Sequence, residues 1–103
     1  MHAESGEGVQ KEINHLFQYI ERSGCVFIRN SKEGTPAEAR AHIQKKYDYF
    51  SDRVKTAEDF ITCAATQSTL SGTPYRVRCN GQETRTADWL HAELQKLRSR
   101  YKD

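Results

Sequence analysis

Prolines are scarce here, two in 103 residues, and no low-complexity tract or internal repeat accompanies them. A Pro-rich linker, and with it a domain boundary, is therefore excluded, and the length suits one domain around one core. No apolar run approaches the ~20 residues that a membrane-spanning helix needs. Met1 to Gly8 lacks the apolar stretch of a signal peptide, although Met1-His2-Ala3-Glu4 fits the start of a mature chain after removal of a leader. Charge of one sign is lacking too: 16 basic residues against 14 acidic give a net charge of +2. That is far from the clustered basic excess of a dedicated nucleic-acid binder. The three cysteines include no Cys-x-x-Cys pair, which excludes a thioredoxin-like redox motif. No glycine-rich phosphate loop and no glycine-flanked serine elbow is present. No cofactor motif follows from the sequence.

Apolar residues make up 36% of the chain, a lean share that on its own fits disorder. Their placement argues for a folded domain, because they fall into periodic sets and include ten aromatic side chains. Residues 1–8 read as a disordered lead and 9–103 as a single globular domain. Val9, Ile13, Leu16, Phe17 and Ile20 form one helical stripe to about Arg22, and Ser23-Gly24 stops it. Cys25-Val26-Phe27-Ile28 reads as a short buried strand, and Asn30 to Gly34 as a polar turn. Thr35-Pro36-Ala37-Glu38 is a complete helix-start signal, a capping box with proline in the first turn. Ala39, Ile43, Tyr47, Phe50 and Val54 carry that helix to about residue 54. A second cap at Thr56 opens a small, well-buried helix through Phe60, Ile61, Ala64 and Ala65 to about Ser68. Tyr75 to Cys79 alternates with period two, a half-buried strand, and Asn80-Gly81 marks a turn. Thr86 is placed to cap a last helix with Leu90, Leu94, Leu97 and Tyr101 inward and Trp89 beside them. The expected fold is α+β and mostly helical, in the order helix-strand-helix-helix-strand-helix, with a two-stranded antiparallel sheet.

Three groups of residues carry a family resemblance. The first is Ser23-Gly24-Cys25-x-Phe27-Ile28-Arg29-Asn30 with Ala39-x-x-His42, Lys46-Tyr47 and Thr56-Ala57-Glu58-Asp59-Phe60-Ile61. The others are Ser71-Gly72-x-Pro74-Tyr75-x-Val77-x-Cys79 and Ala87-x-Trp89-Leu90-x-x-Glu93-Leu94. Together they resemble the bacterial domain of unknown function 5329, over roughly residues 11 to 100. The resemblance implies a periplasmic or secreted protein of the cell envelope, and no assigned activity.

Candidate chemistry is thin. Glu12 with His15, and Glu38 with His42, stand three and four residues apart on helices and offer two metal ligands each. A site needs three or four, so these histidines, and His91, read as ordinary boundary residues, and no metal is expected. Ser68, Ser71 and Gly72 read as helix termination, and Glu58 and Asp59 as a helix start favoured by the dipole. The distinctive surface is basic. Arg76 and Arg78 share one strand face, opposite Tyr75, Val77 and Cys79, with Arg29 at the end of the first strand and Arg85 in the following loop. With Tyr75, these four arginines form a candidate binding surface for an anionic polymer. The plainer reading is the solvated face of an edge strand, kept charged against aggregation.

The cysteines admit three pairings. If the two strands pair antiparallel with Phe27 opposite Val77, Cys25 falls opposite Cys79 within bridging distance. A Cys25–Cys79 disulfide then leaves Cys63 as a free thiol, a small hydrophobe in a helix. In a reducing compartment all three would instead be core thiols. The function expected from all this is a non-enzymatic binding or interaction module of the envelope, with a protein or an anionic envelope component as partner and no membrane span. A nucleic-acid-binding domain using the basic strand face stands second, and a small hydrolase third.

Overall fold

Strand formers near Phe27 and Val77, and asparagines placed to reverse the chain, set the centre of this molecule. The computed structural model of the chain describes residues 2–100, with side chains from residue 8 onward. In chain order the elements are α1 (His2–Arg22), β1 (Val26–Arg29), β2 (Lys32–Gly34), α2 (Pro36–Phe50), a single 3-10 turn (Ser51–Arg53), α3 (Ala57–Ala64), β3 (Arg76–Cys79), β4 (Gln82–Arg85) and α4 (Thr86–Arg100). The class is the expected one, mostly helical α+β. The sheet, however, has four strands in the order β2-β1-β3-β4, not two. The additions are the edges: Lys32–Gly34 and Gln82–Arg85 carry no apolar alternation because most or all of their side chains face water. Asn30-Ser31 and Asn80-Gly81 are the two-residue hairpin loops, with φ of 52° and 69°, and 53° and 80°. Positive φ at both central residues is what a type I′ turn requires.

The central register is the one supposed for the cysteine pairing. Phe27 pairs with Val77, Val26 with Arg78 and Ile28 with Arg76. Cys25 and Cys79 are joined by a disulfide across 4.8 Å between α-carbons, and Cys63 is free and partly buried. No internal repeat is visible in the sequence, yet the architecture repeats. Each half is a helix, a hairpin and a helix: α1-β1-β2-α2, then α3-β3-β4-α4. Asn30 and Asn80 are 50 positions apart, and so are the facing residues Phe27 and Val77. The two halves are thus related by an approximate two-fold through that central pair.

The helices bury their stripes on the face of the sheet that carries Phe27 and Val77. Ile13, Leu16, Phe17 and Ile20 of α1, Phe60 and Ile61 of α3, and Leu90, Leu94 and Leu97 of α4 are buried together. Helix α1 starts at His2 rather than Val9. Extending a docked helix adds one hydrogen bond per residue without a new nucleus. The expected capping box of Thr35 with Glu38 forms, and the cap expected at Thr56 is a second such box, closed by Asp59. Helix α2 yields to the 3-10 turn after Phe50. Helix α3 ends at Ala64, short of Ser68, and an isolated bridge between Gln67 and Pro74 closes the loop that follows. Tyr101 lies outside the described residues. Helix α2 is the least embedded helix, with Ile43 its one fully buried side chain.

Candidate functional site

Strand alternation divides the basic residues of β1 and β3 between two faces. Arg29 and Tyr75 follow Phe27 and Val77 inward, whereas Arg76 and Arg78 face outward. The outward pair is already matched in charge. Arg76 Nε donates to Glu83 at 2.7 Å, and Arg78 Nη2 donates to Glu33 at 2.9 Å. Strand β3 is moreover a central strand, so these arginines do not protect an edge; β2 and β4 are the edges. Arg85 sits on β4 directly opposite Arg76 and is exposed. The five residues of the basic surface therefore do not form one site.

Arg29 and Tyr75, joined by part of Arg76, line a cleft of about 310 Å³ between the inner face of the sheet and α2; Arg78 and Arg85 do not. Its floor is apolar, with Phe27 and Ile43 buried and Ala39 partly so. The approximate two-fold sets the small residue at position 39 against a large one in the other half. Position 39 of α2 corresponds to position 89 of α4, where Trp89 packs its ring edge-on against Phe27 at 5.5 Å and stacks on Tyr19 at 4.4 Å. Alanine stands where the other half has an indole. The same relation places Arg29 opposite Tyr75 at one end of the β1–β3 pair and the disulfide at the other.

The polar groups around the cleft are unequal in their commitments. Among the carboxylates, Glu33 is held by Arg78, and Glu38 Oε1 accepts from the Thr35 N–H of the capping box at 2.8 Å. Arg29 and Lys32 make no ion pair among the described residues. His42 Nε2 lies 2.9 Å from Tyr75 Oη, and Lys46 Nζ lies 3.2 Å from the same oxygen while donating to the Gln67 carbonyl at 2.6 Å. An ammonium can only donate. Tyr75 Oη therefore accepts from Lys46, and its own proton is free for His42 Nε2, an arrangement in which the imidazole proton sits on Nδ1. Burial, and then the positive charges of Arg29, Lys46 and Lys45, hold the His42 pKa below its ordinary value, so the ring stays neutral. Burial likewise lowers the Lys46 pKa and raises that of Tyr75. Thr86 completes the lining: it is 1% exposed, and its hydroxyl has no hydrogen-bond partner. That hydroxyl is not the expected cap, since Thr86 is already the first residue of α4.

His42, Lys32, Ala39, Ile43 and Thr86 were not singled out as a site by sequence reasoning. The one signal was the Glu38–His42 spacing, and the capping box takes Glu38 away from it. The other histidine pair separates as well. Glu12 goes to Arg98, while His15 Nε2 meets Glu93 at 2.7 Å. Glu58, read as serving the helix dipole, is bound to Arg98. Ser71 and Gly72, read as ending a helix, shape the loop before β3, where Ser71 Oγ donates to Asn30 Oδ1 at 2.8 Å. Among the described residues no group of three or more His, Cys, Asp or Glu side chains is arranged to hold a metal ion, and no helix is long and apolar enough to cross a membrane.

These elements coincide with a known sequence family, whose model matches residues 7–98. The chain belongs to the family of unknown function DUF5329. Both strands of the central pair, helices α2 and α3, most of α1 and α4, and the whole cleft lie within the DUF5329 match. The chain is also similar to the uncharacterized protein YfeK of Salmonella typhimurium (strain LT2), with 33% identity over 67 residues. That stretch covers 64% of this chain and 56% of the relative, so the match spans little more than half the length of the Salmonella protein. No solved structure matches the chain.

Proposed function

We propose that this DUF5329 domain is a non-catalytic binding module of the bacterial cell envelope, periplasmic or secreted, whose cleft beside α2 receives an anionic ligand. One observation carries the reading. Around the cleft each carboxylate is engaged through one oxygen, Glu33 by Arg78 and Glu38 by its own cap, while the cations Arg29 and Lys32 make no ion pair among the described residues. Such a site has uncommitted positive charge to offer, which matches an anion. The cleft's size falls at the lower end of small-molecule sites. The envelope assignment draws on the Cys25–Cys79 disulfide, since such bonds persist in oxidising compartments. Arg76 and Arg78 support the nucleic-acid reading less well, because Glu83 and Glu33 already hold them.

A thermal-shift screen of small organic anions against the wild-type domain and Ala39→Trp tests this reading. Tryptophan at position 39 should fill the cleft as Trp89 fills its counterpart. Stabilisation of the wild type that disappears in Ala39→Trp is the expected result; equal stabilisation of both proteins would put the ligand elsewhere.

A further inference from the structure

The cleft leaves room beside a small residue, Ala39, and that sets the shape of what enters it. In the other half of the molecule the matching position of α4 is Trp89, whose ring packs edge-on against Phe27. On the α2 side, Phe27, Ala39 and Ile43 offer an apolar floor with no ring above it. The polar groups gather to one side of this floor. Arg29 ends β1 on the inward face, and His42 lines the cleft from α2, its Nε2 engaged by Tyr75 and its Nδ1 without a protein partner among the described residues. Arg29 presents a planar fork that matches a carboxylate. Resting on the anion-binding reading above, we infer that the ligand is a small carboxylate with an aromatic or branched apolar body, its body on the floor at Ala39 and its carboxylate against Arg29 and His42.

Inorganic phosphate fits less well, because it would leave the floor bare. A long anionic polymer fits less well because the space holds one such group. A free organic acid and the C-terminal residue of a peptide share the required chemistry, and the probes below separate them.

Nitrogen-15 NMR titrations decide the matter, using indole-3-propionate, its neutral primary amide, N-acetyltryptophan amide linked through one further residue to a free C-terminal tryptophan, and inorganic phosphate. The acid should shift the amides of Arg29, Ala39 and His42, with affinity at least tenfold above that of its amide. Arg29→Gln should bring the acid down to the amide's affinity, and Ala39→Trp, checked for a dispersed native spectrum, should abolish both. If acid and amide move the cleft resonances with equal affinity, carboxylate recognition is wrong although the cleft still binds. If phosphate moves them as strongly as the acid, the apolar body plays no part and only the anion reading survives. If no probe moves them, or Ala39→Trp binds like the wild type, both this inference and the broader one fall. Where the C-terminal peptide binds tenfold more tightly than the free acid, a peptide end is the source; the reverse order assigns a free metabolite.

Discussion

The hydroxyl of Thr86 shows how a residue's surroundings outweigh its type. In sequence it looks like a helix cap, yet in the structure it is buried without a partner at the start of α4. An unsatisfied buried hydroxyl costs about 1–3 kcal/mol, and valine has nearly the same shape. Thr86→Val should therefore stabilise the ligand-free domain by about 1 kcal/mol, read as a higher urea midpoint at unchanged slope. A second residue-scale effect concerns acid. Arg98 binds Glu12 of α1 and Glu58 of α3 at once, and its hydrogen bonds hold the Glu58 carboxyl down at about 2 against an ordinary 4.5. A depressed carboxyl pKa gives stability that is full above the unfolded value and is lost as pH falls through the folded one. The stability of the wild type should drop between about pH 4.5 and pH 2, and Arg98→Gln should flatten that part of the profile. Both partners keep contact with water, so screening limits the effect to under about 1 kcal/mol. Leu90, Leu94 and Leu97 were legible because their spacing alone marks the inward face. His15 and Glu58 were not, because their partners come from distant parts of the chain, and neither was Thr86, because distant parts of the chain bury it.

Among the elements, legibility followed burial. Strands β1 and β3 announce themselves through Phe27 and Val77, and α2 and α3 through their capping boxes. Strands β2 and β4 do not, since an edge strand that faces water needs neither apolar alternation nor β-branched residues. The hairpins themselves are unequally made. Asn80-Gly81 has glycine at its second left-handed position, whereas Asn30-Ser31 places a serine at φ 69°. An L-residue there is held against its steric preference. Ser31→Gly should raise stability by about 0.5–1 kcal/mol, measurable by chemical denaturation, and the same exchange at exposed Ser51, in a right-handed turn with φ −57°, should lower it. The cleft escaped sequence reading for a related reason. Ala39 fits the apolar stripe of α2, and nothing in a stripe says that a larger side chain is missing. Only its structural counterpart, Trp89, shows it.

At the scale of the whole molecule, the register of the central pair selects one of three possible cysteine pairings, Cys25 with Cys79. Their bond spans a sequence separation of 54 residues. Closing a loop of that length restrains the unfolded chain by about 4 kcal/mol. Reduction should lower the unfolding free energy by up to about that amount, and denatured, unreduced protein from an oxidising compartment should label one thiol per chain, Cys63. Three labelled thiols would mean the bond does not form there. A bond at one end of β1 and β3 also makes their fraying one-sided. At Cys25 and Cys79 the strands are pinned, so thermal separation of the pair relaxes at the opposite end, where Arg29 faces Tyr75. Arg29 and Tyr75 both line the cleft. Like a zip stitched shut at its base, the central pair can open only from that end.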